Sequence, residues 1–177
     1  LAHKNISDYI ASNRDRILHQ IPAPTAGTYI PPTIIKVDSI ADMTREIFGP
    51  VLHVATYESH ELNRVVDEIN ATGYGLTFGL HTRIDDRVEH LVTSINAGNI
   101  YVNRNQIGAV VGSQPFGGEG LSGTGPKAGG PRYLPRYAQQ AQTHLPPATL
   151  DLPGPTGESN RLSTHARAPL LCLGPTP

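Results

Sequence analysis

Residues 51–103, "VLHVATYESHELNRVVDEINATGYGLTFGLHTRIDDRVEHLVTSINAGNIYVN", change hydrophobic period several times along their length. "VLHVATY" (51–57) reads as a strand. Leu62, Val65, Val66 and Ile69 then fall at i, i+3, i+4 and i+7, the stripe of an amphipathic helix, with Gly73 marking its end. In "LTFGLHT" (76–82) the apolar Leu76, Phe78 and Leu80 alternate with Thr77, Gly79 and His81, which predicts a second strand. Ile84, Val88, Leu91, Val92 and Ile95 mark a second helix. Asp85 and Asp86 suit the positive end of its dipole, and Gly98 is expected to close it. "NIYVN" (99–103) is a third short strand. Strand, helix, strand, helix, strand at this spacing predicts an α/β fold with a mostly parallel, helix-covered sheet.

Upstream, the first 20 residues read as a helix with Ile6, Tyr9, Ile10 and Ile17 on one face. "PAPTAGTYIPPTIIKV" (22–37) is Pro-rich and extended, reaching an apolar run at Thr33–Val37. Asp38 or Ser39 is expected to cap a brief helix through Glu46, stopped by Gly49-Pro50. Downstream of about Tyr137 periodicity fades, and nine of the 16 prolines lie from Pro131 onward, so an irregular linker or docking tail is expected there. "RAPLLCL" (167–173) is a candidate short strand within it. The expected division is a folded portion over 1–140 and a Pro-rich tail, or the start of an extra C-terminal region, over 141–177.

A net charge of −1 with scattered Lys and Arg argues against a nucleic-acid binder, which needs a basic stripe to neutralise phosphates. No apolar run approaches the roughly 18 residues needed to cross a bilayer. Leu1 reads as a cut point within something longer, since neither an initiator Met nor a signal pattern precedes "LAHKNISDYI". The lone Cys172 excludes an internal disulfide framework and fits a reducing compartment. The eight histidines show no metal-ligand spacing, so no metal site is expected.

Nine of the 18 glycines fall between Gly108 and Gly130, and among them Gly118-Glu119-Gly120-Leu121-Ser122-Gly123 is a formal GxGxxG. A dinucleotide phosphate loop needs a strand running into the first glycine and a helix opening at the last. Pro115 precedes this motif and Thr124-Gly125-Pro126 follows it, so the phosphate reading fails. Phe116, Leu121 and the prolines interleaved with the glycines point instead to a loop of fixed shape.

Four segments, "REIFGPVL" (45–52), "GYGLTFGLHT" (73–82), "AGNIYVNRN" (97–105) and "GAVVGSQPFGGEGLSGTGPKAGGPRYL" (108–134), stand in this order. Together they resemble the C-terminal half of an aldehyde dehydrogenase catalytic domain. "GPKAGG" in place of the common G-R-E, together with "NRNQIGAVVGSQPFGG", is similar to the glutamate-semialdehyde (pyrroline-5-carboxylate) dehydrogenase module of bacterial proline utilization A proteins.

The resemblance implies a catalytic cycle of cysteinyl hemithioacetal formation, hydride transfer to NAD and thioester hydrolysis, with L-glutamate as product. It gives Glu46 the two hydroxyls of the nicotinamide ribose, which a carboxylate's two acceptor oxygens suit. It places Phe48 beside the nicotinamide ring. Gly108 and Ala109 match the loop holding the substrate's carboxylate, where small side chains let backbone N–H groups approach an anion. Phe116 matches the aromatic lining the aldehyde's aliphatic stem. Glu119 and Lys127 are read as surface or loop-stabilising residues. The nucleophilic cysteine and the Rossmann half are expected upstream, Cys172 is not the nucleophile, and no catalytic residue is expected in this chain.

The resemblance further implies a bifunctional, homo-oligomeric, cytoplasmic parent, with association at the inner membrane left open and FAD on its proline dehydrogenase module. This segment alone is expected to be inactive. The alternative is a truncated, non-catalytic remnant that serves as a scaffold or oligomerisation piece.

Overall fold

A computed structural model describes residues 2–107, 109–138 and 148–165, arranged in two compact units that divide between Gly73 and Tyr74.

In the first unit, helix α1 (Ala2–Ser12) turns Ile10 into the core and leaves Lys4, Asp8 and Ser12 exposed. It stops short of the expected 20 residues. Asn13 caps it, its side-chain amide donating to the Tyr9 carbonyl at 2.9 Å. A single 3₁₀ turn (Arg14–Arg16) follows, and then strand β1 (Ile17–Gln20). Ile17 therefore belongs to a strand, because pairing with a distant segment overrides local helical preference. That partner is β2 (Thr33–Lys36), antiparallel to β1 and parallel to β3 (Val51–Val54) on its other side.

Ile35 on the central strand is fully buried, and Val37 just beyond it nearly so. Each such aliphatic side chain contributes about 1.5–3 kcal/mol on leaving water. Thr33 is buried too, and its hydroxyl is satisfied: it donates to Pro31 O at 2.8 Å and accepts from Gln20 at 2.9 Å. Ser39 does cap a helical turn, accepting from the Ala41 amide, but the turn is 3₁₀ and ends at Asp42 rather than Glu46. Helix α2 (Leu62–Ala71) buries Val66 on the expected stripe. Gly73, at φ +73°, ends it in the left-handed conformation that favours glycine.

The second unit opens with β4 (Tyr74–Gly75) and β5 (Thr77–Leu80). Helix α3 (Asp85–Ser94) then crosses over to β6 (Asn99–Val102), which pairs parallel with β5. Leu91, Ile95 and Tyr101 form the buried centre. Helix α3 ends at Ser94, earlier than the expected close at Gly98, because Ile95 turns extended. Strand β7 (Glu119–Gly120) pairs antiparallel with β4.

Within the Pro-rich region, β8 (Thr149–Leu152) and β9 (Asn160–Ser163) form an antiparallel hairpin with unbroken register. Their alternation of half-buried and exposed residues is that of a strand pair with one covered face. The candidate strand at 167–173 lies outside the described residues, as does Cys172. Among the described residues, no helix is long and apolar enough to cross a membrane.

Candidate functional site

The expected site residues divide between the two units. Glu46 and Phe48 lie in the first, on the link from the 3₁₀ turn to β3. Two tight backbone contacts shape that link, Gly49 N to Ile47 O at 2.9 Å and Val51 N to Gly49 O at 2.8 Å. A Cβ on Gly49 would stand 2.6 Å from Ile6 Cδ1, so glycine lets the link lie against α1. Glu46 is exposed and makes no ion pair among the described residues. Phe48 is 86% exposed, one of several large apolar side chains that face outward in this chain, Ile107 and Val111 among them.

Ala109 and Phe116 lie in the second unit, on the segment that leaves β6. Asn103, at φ +55°, swings the chain out of the strand. Its side-chain oxygen accepts from the Thr82 amide at 2.9 Å, a long-range bond that pins the asparagine at the end of β6. Ala109 is exposed, while Gly108 lies outside the described residues. A turn follows in which the Val110 carbonyl accepts from Ser113 and Gln114.

Phe116 is half-buried and forms a two-bond antiparallel bridge with Ala128, at 3.0 and 2.8 Å. Asn99 grips both sides of it. Its amide donates to Pro115 O at 2.9 Å, and its oxygen accepts from Gly117 N at 3.1 Å. Lys127 Nζ donates to Gly117 O at 2.7 Å and also to Gly98 O. Burial pushes the Lys127 pKa down, with the Glu119 charge opposing the shift.

The glycines allow this contact to close. A Cβ on Gly98 would sit 1.9 Å from Gly117 O, and one on Gly118 would sit 2.5 Å from Ser122 O. Here the glycines permit backbone to touch backbone. No helix opens at Gly123; the next helical residues are the 3₁₀ turn Leu134–Tyr137. The loop is fixed and is not shaped for a phosphate.

The sequence left Lys127 as either a surface or a loop-stabilising residue, and its bonds to two backbone carbonyls are those of the second. Sequence reasoning passed over Asn99, whose amide at the head of a strand was the available signal. Arg104, Gln114 and Glu158 were also passed over. Their side chains meet, yet 54 residues separate the first from the last, and no local pattern connects them.

The sequence and the fold converge in comparison with known proteins. The aldehyde dehydrogenase family profile matches residues 2–143, and the chain belongs to that family. The bifunctional protein PutA of Rhizobium meliloti is 47% identical over 188 residues, a match covering 85% of this chain and 15% of that protein. A mutant proline utilization A from Bradyrhizobium japonicum, solved by crystallography, superposes with a TM-score of 0.73 at 51% identity, over 76% of this chain and 14% of that one. The 1-pyrroline-5-carboxylate dehydrogenase from Thermus, solved with bound NAD, gives a TM-score of 0.67 at 32% identity, over 76% of this chain and 27% of that one. The chain thus spans only a small part of the proteins it matches.

Proposed function

We propose that this chain is the C-terminal part of an NAD-dependent dehydrogenase that oxidises L-glutamate γ-semialdehyde to L-glutamate. The observation that carries the proposal is the braced loop after β6, where Asn99 and Lys127 fix the backbone on either side of Phe116. The likeness to a 1-pyrroline-5-carboxylate dehydrogenase solved with NAD supports it.

In this reading Glu46 accepts hydrogen bonds from the two nicotinamide-ribose hydroxyls, and Phe48 packs beside the ring. Gly108 and Ala109 present backbone N–H groups to the substrate carboxylate, while Phe116 covers its aliphatic stem. Held at both ends, the substrate loses the freedom to misalign, which is worth several kcal/mol of barrier in well-oriented reactions. NAD, when bound, supplies the hydride acceptor. The nucleophile and the Rossmann half come from elsewhere in a larger, homo-oligomeric and cytoplasmic protein, with FAD on a proline dehydrogenase module. The segment alone has no turnover.

NAD reduction by the full-length protein carrying this segment tests the proposal. Glutamate semialdehyde is expected to be strongly preferred to propanal, which has no carboxylate to anchor. Equal kcat/KM for the two would contradict it.

A further inference from the structure

Beyond the region that matches the family, the turn of the β8–β9 hairpin presents Glu158. The turn is tight: Glu158 N donates to Pro155 O at 3.0 Å, and Gly157 sits at φ +83°. One oxygen of the Glu158 carboxylate, Oε1, receives three contacts. Gln114 Nε2 donates to it at 2.9 Å, Asn160 Nδ2 donates at 3.1 Å, and Arg104 Nη1 lies 2.8 Å away. The arginine contact is one of charge, since its N–H is not aligned for a hydrogen bond. The same guanidinium stacks over Tyr101 at 5.3 Å. Gln114 is buried, and the Arg104 and Glu158 side chains are only 29% and 25% exposed, so solvent screens these contacts weakly.

The positions of the partners matter more than their number. Arg104 is the second residue past β6, at one root of the segment that carries Ala109. Gln114 closes the Val110 turn at the other root. A single carboxylate from the hairpin therefore holds both roots together. It does so beside a cleft of about 500 Å³ lined by Asn99, Arg104, Gln114, Lys127 and Glu158, so polar contacts rather than close packing fasten the hairpin here.

We infer that Glu158 is a positioning residue: the hairpin beyond the aldehyde dehydrogenase region clasps the substrate-carboxylate segment and sets its shape. This inference rests on the function proposed above. Loss of the clasp loosens Ala109 and its neighbours, leaving the cofactor-side residues Glu46 and Phe48 untouched. The consequence is specific to aldehydes that carry a carboxylate.

The test uses the full-length enzyme with Glu158→Ala, Glu158→Gln and, as a control on the same hairpin, Arg161→Ala. Among the described residues Arg161 pairs with exposed Asp151, at 3.5 Å, and it lines the same cleft without an ion pair to Glu158. Glu158→Ala is expected to raise KM for glutamate semialdehyde about tenfold, the effect of losing one charge-assisted contact, with kcat and the KM for propanal within about twofold. Glu158→Gln keeps an acceptor for Gln114 but loses the charge facing Arg104, and should fall between. Arg161→Ala should match the wild type.

Amide hydrogen exchange over 109–114 gives a readout independent of turnover and should quicken in Glu158→Ala. Unchanged exchange there would overturn the clasp. Faster exchange with equal losses on both aldehydes would overturn its role in specificity. A wild type with no preference for the carboxylate-bearing aldehyde would overturn the proposed function, while the exchange result still judges the clasp.

Discussion

Lys127 Nζ lies 2.7 Å from the carbonyl oxygen of Gly117, so a half-buried ammonium holds the residue that follows Phe116. The same nitrogen reaches Gly98 O at the head of β6. Lys127→Met keeps the length of the stem but leaves two carbonyls without their donor. The expected cost is about 1–3 kcal/mol, the desolvation penalty of buried polar groups left unpaired. A lowered urea midpoint for the dehydrogenase domain would show it. An unchanged midpoint would mean that water replaces the ammonium without loss.

Gly98→Ala tests the backbone contact directly. The added methyl would meet Gly117 O at 1.9 Å, and neither backbone can yield without disturbing the Asn99 bonds. A loss of about 2–4 kcal/mol is expected, in the range of severe overpacking. Gly125→Ala is a useful comparison. Its Cβ would meet nothing within 4 Å, so its cost is limited to the backbone strain of φ +110°.

This contrast shows what the sequence could and could not convey. Helix α2 was legible because Leu62, Val65, Val66 and Ile69 are close in sequence and share one face. β1 was not, because Ile17, His19 and Gln20 form a strand only by pairing with Ile35, Ile34 and Thr33, well outside any local window. Gly98 was read as a helix stop, since a glycine after an apolar stripe usually is one; its real constraint is an atom of Gly117, which no local window contains. The hairpin at 149–163 was hidden by its prolines and glycines, which occupy the turn and leave the strands free of them. Of the candidate site, the glycine-rich loop was legible as fixed, but the side chains that fix it were not.

His53 gives the first unit a pH dependence. It accepts or shares a proton with Tyr9 Oη at 2.8 Å, and burial lowers its pKa from the usual 6.5. In the unfolded chain His53 takes up a proton as pH falls through 6.5, while in the native state it resists doing so. The unfolded state then binds more protons, so stability is full above pH 6.5 and declines as pH drops from there through the native pKa. His53→Gln should flatten the dependence of the unfolding midpoint between pH 7.5 and 5.5, by about the effect of one histidine. A slope identical to the wild type would assign the effect to other groups.

Glu46→Gln separates cofactor positioning from stability. The side chain is exposed and outside every ion pair among the described residues, so the unfolding midpoint should not move. In the full-length enzyme the KM for NAD should rise about tenfold, as one charge-assisted acceptor becomes neutral. Unchanged NAD kinetics would remove Glu46 from the cofactor site.

The central claim is that the segment after β6 anchors a substrate carboxylate. Its most direct test is the ratio of kcat/KM for glutamate semialdehyde to that for propanal, measured in the full-length enzyme and in its Ala109→Val variant. The bulkier side chain should crowd the anion and lower the ratio by about tenfold or more, with propanal oxidation largely preserved. An unchanged ratio, with both substrates falling together, would contradict the account and leave the loop a structural element alone.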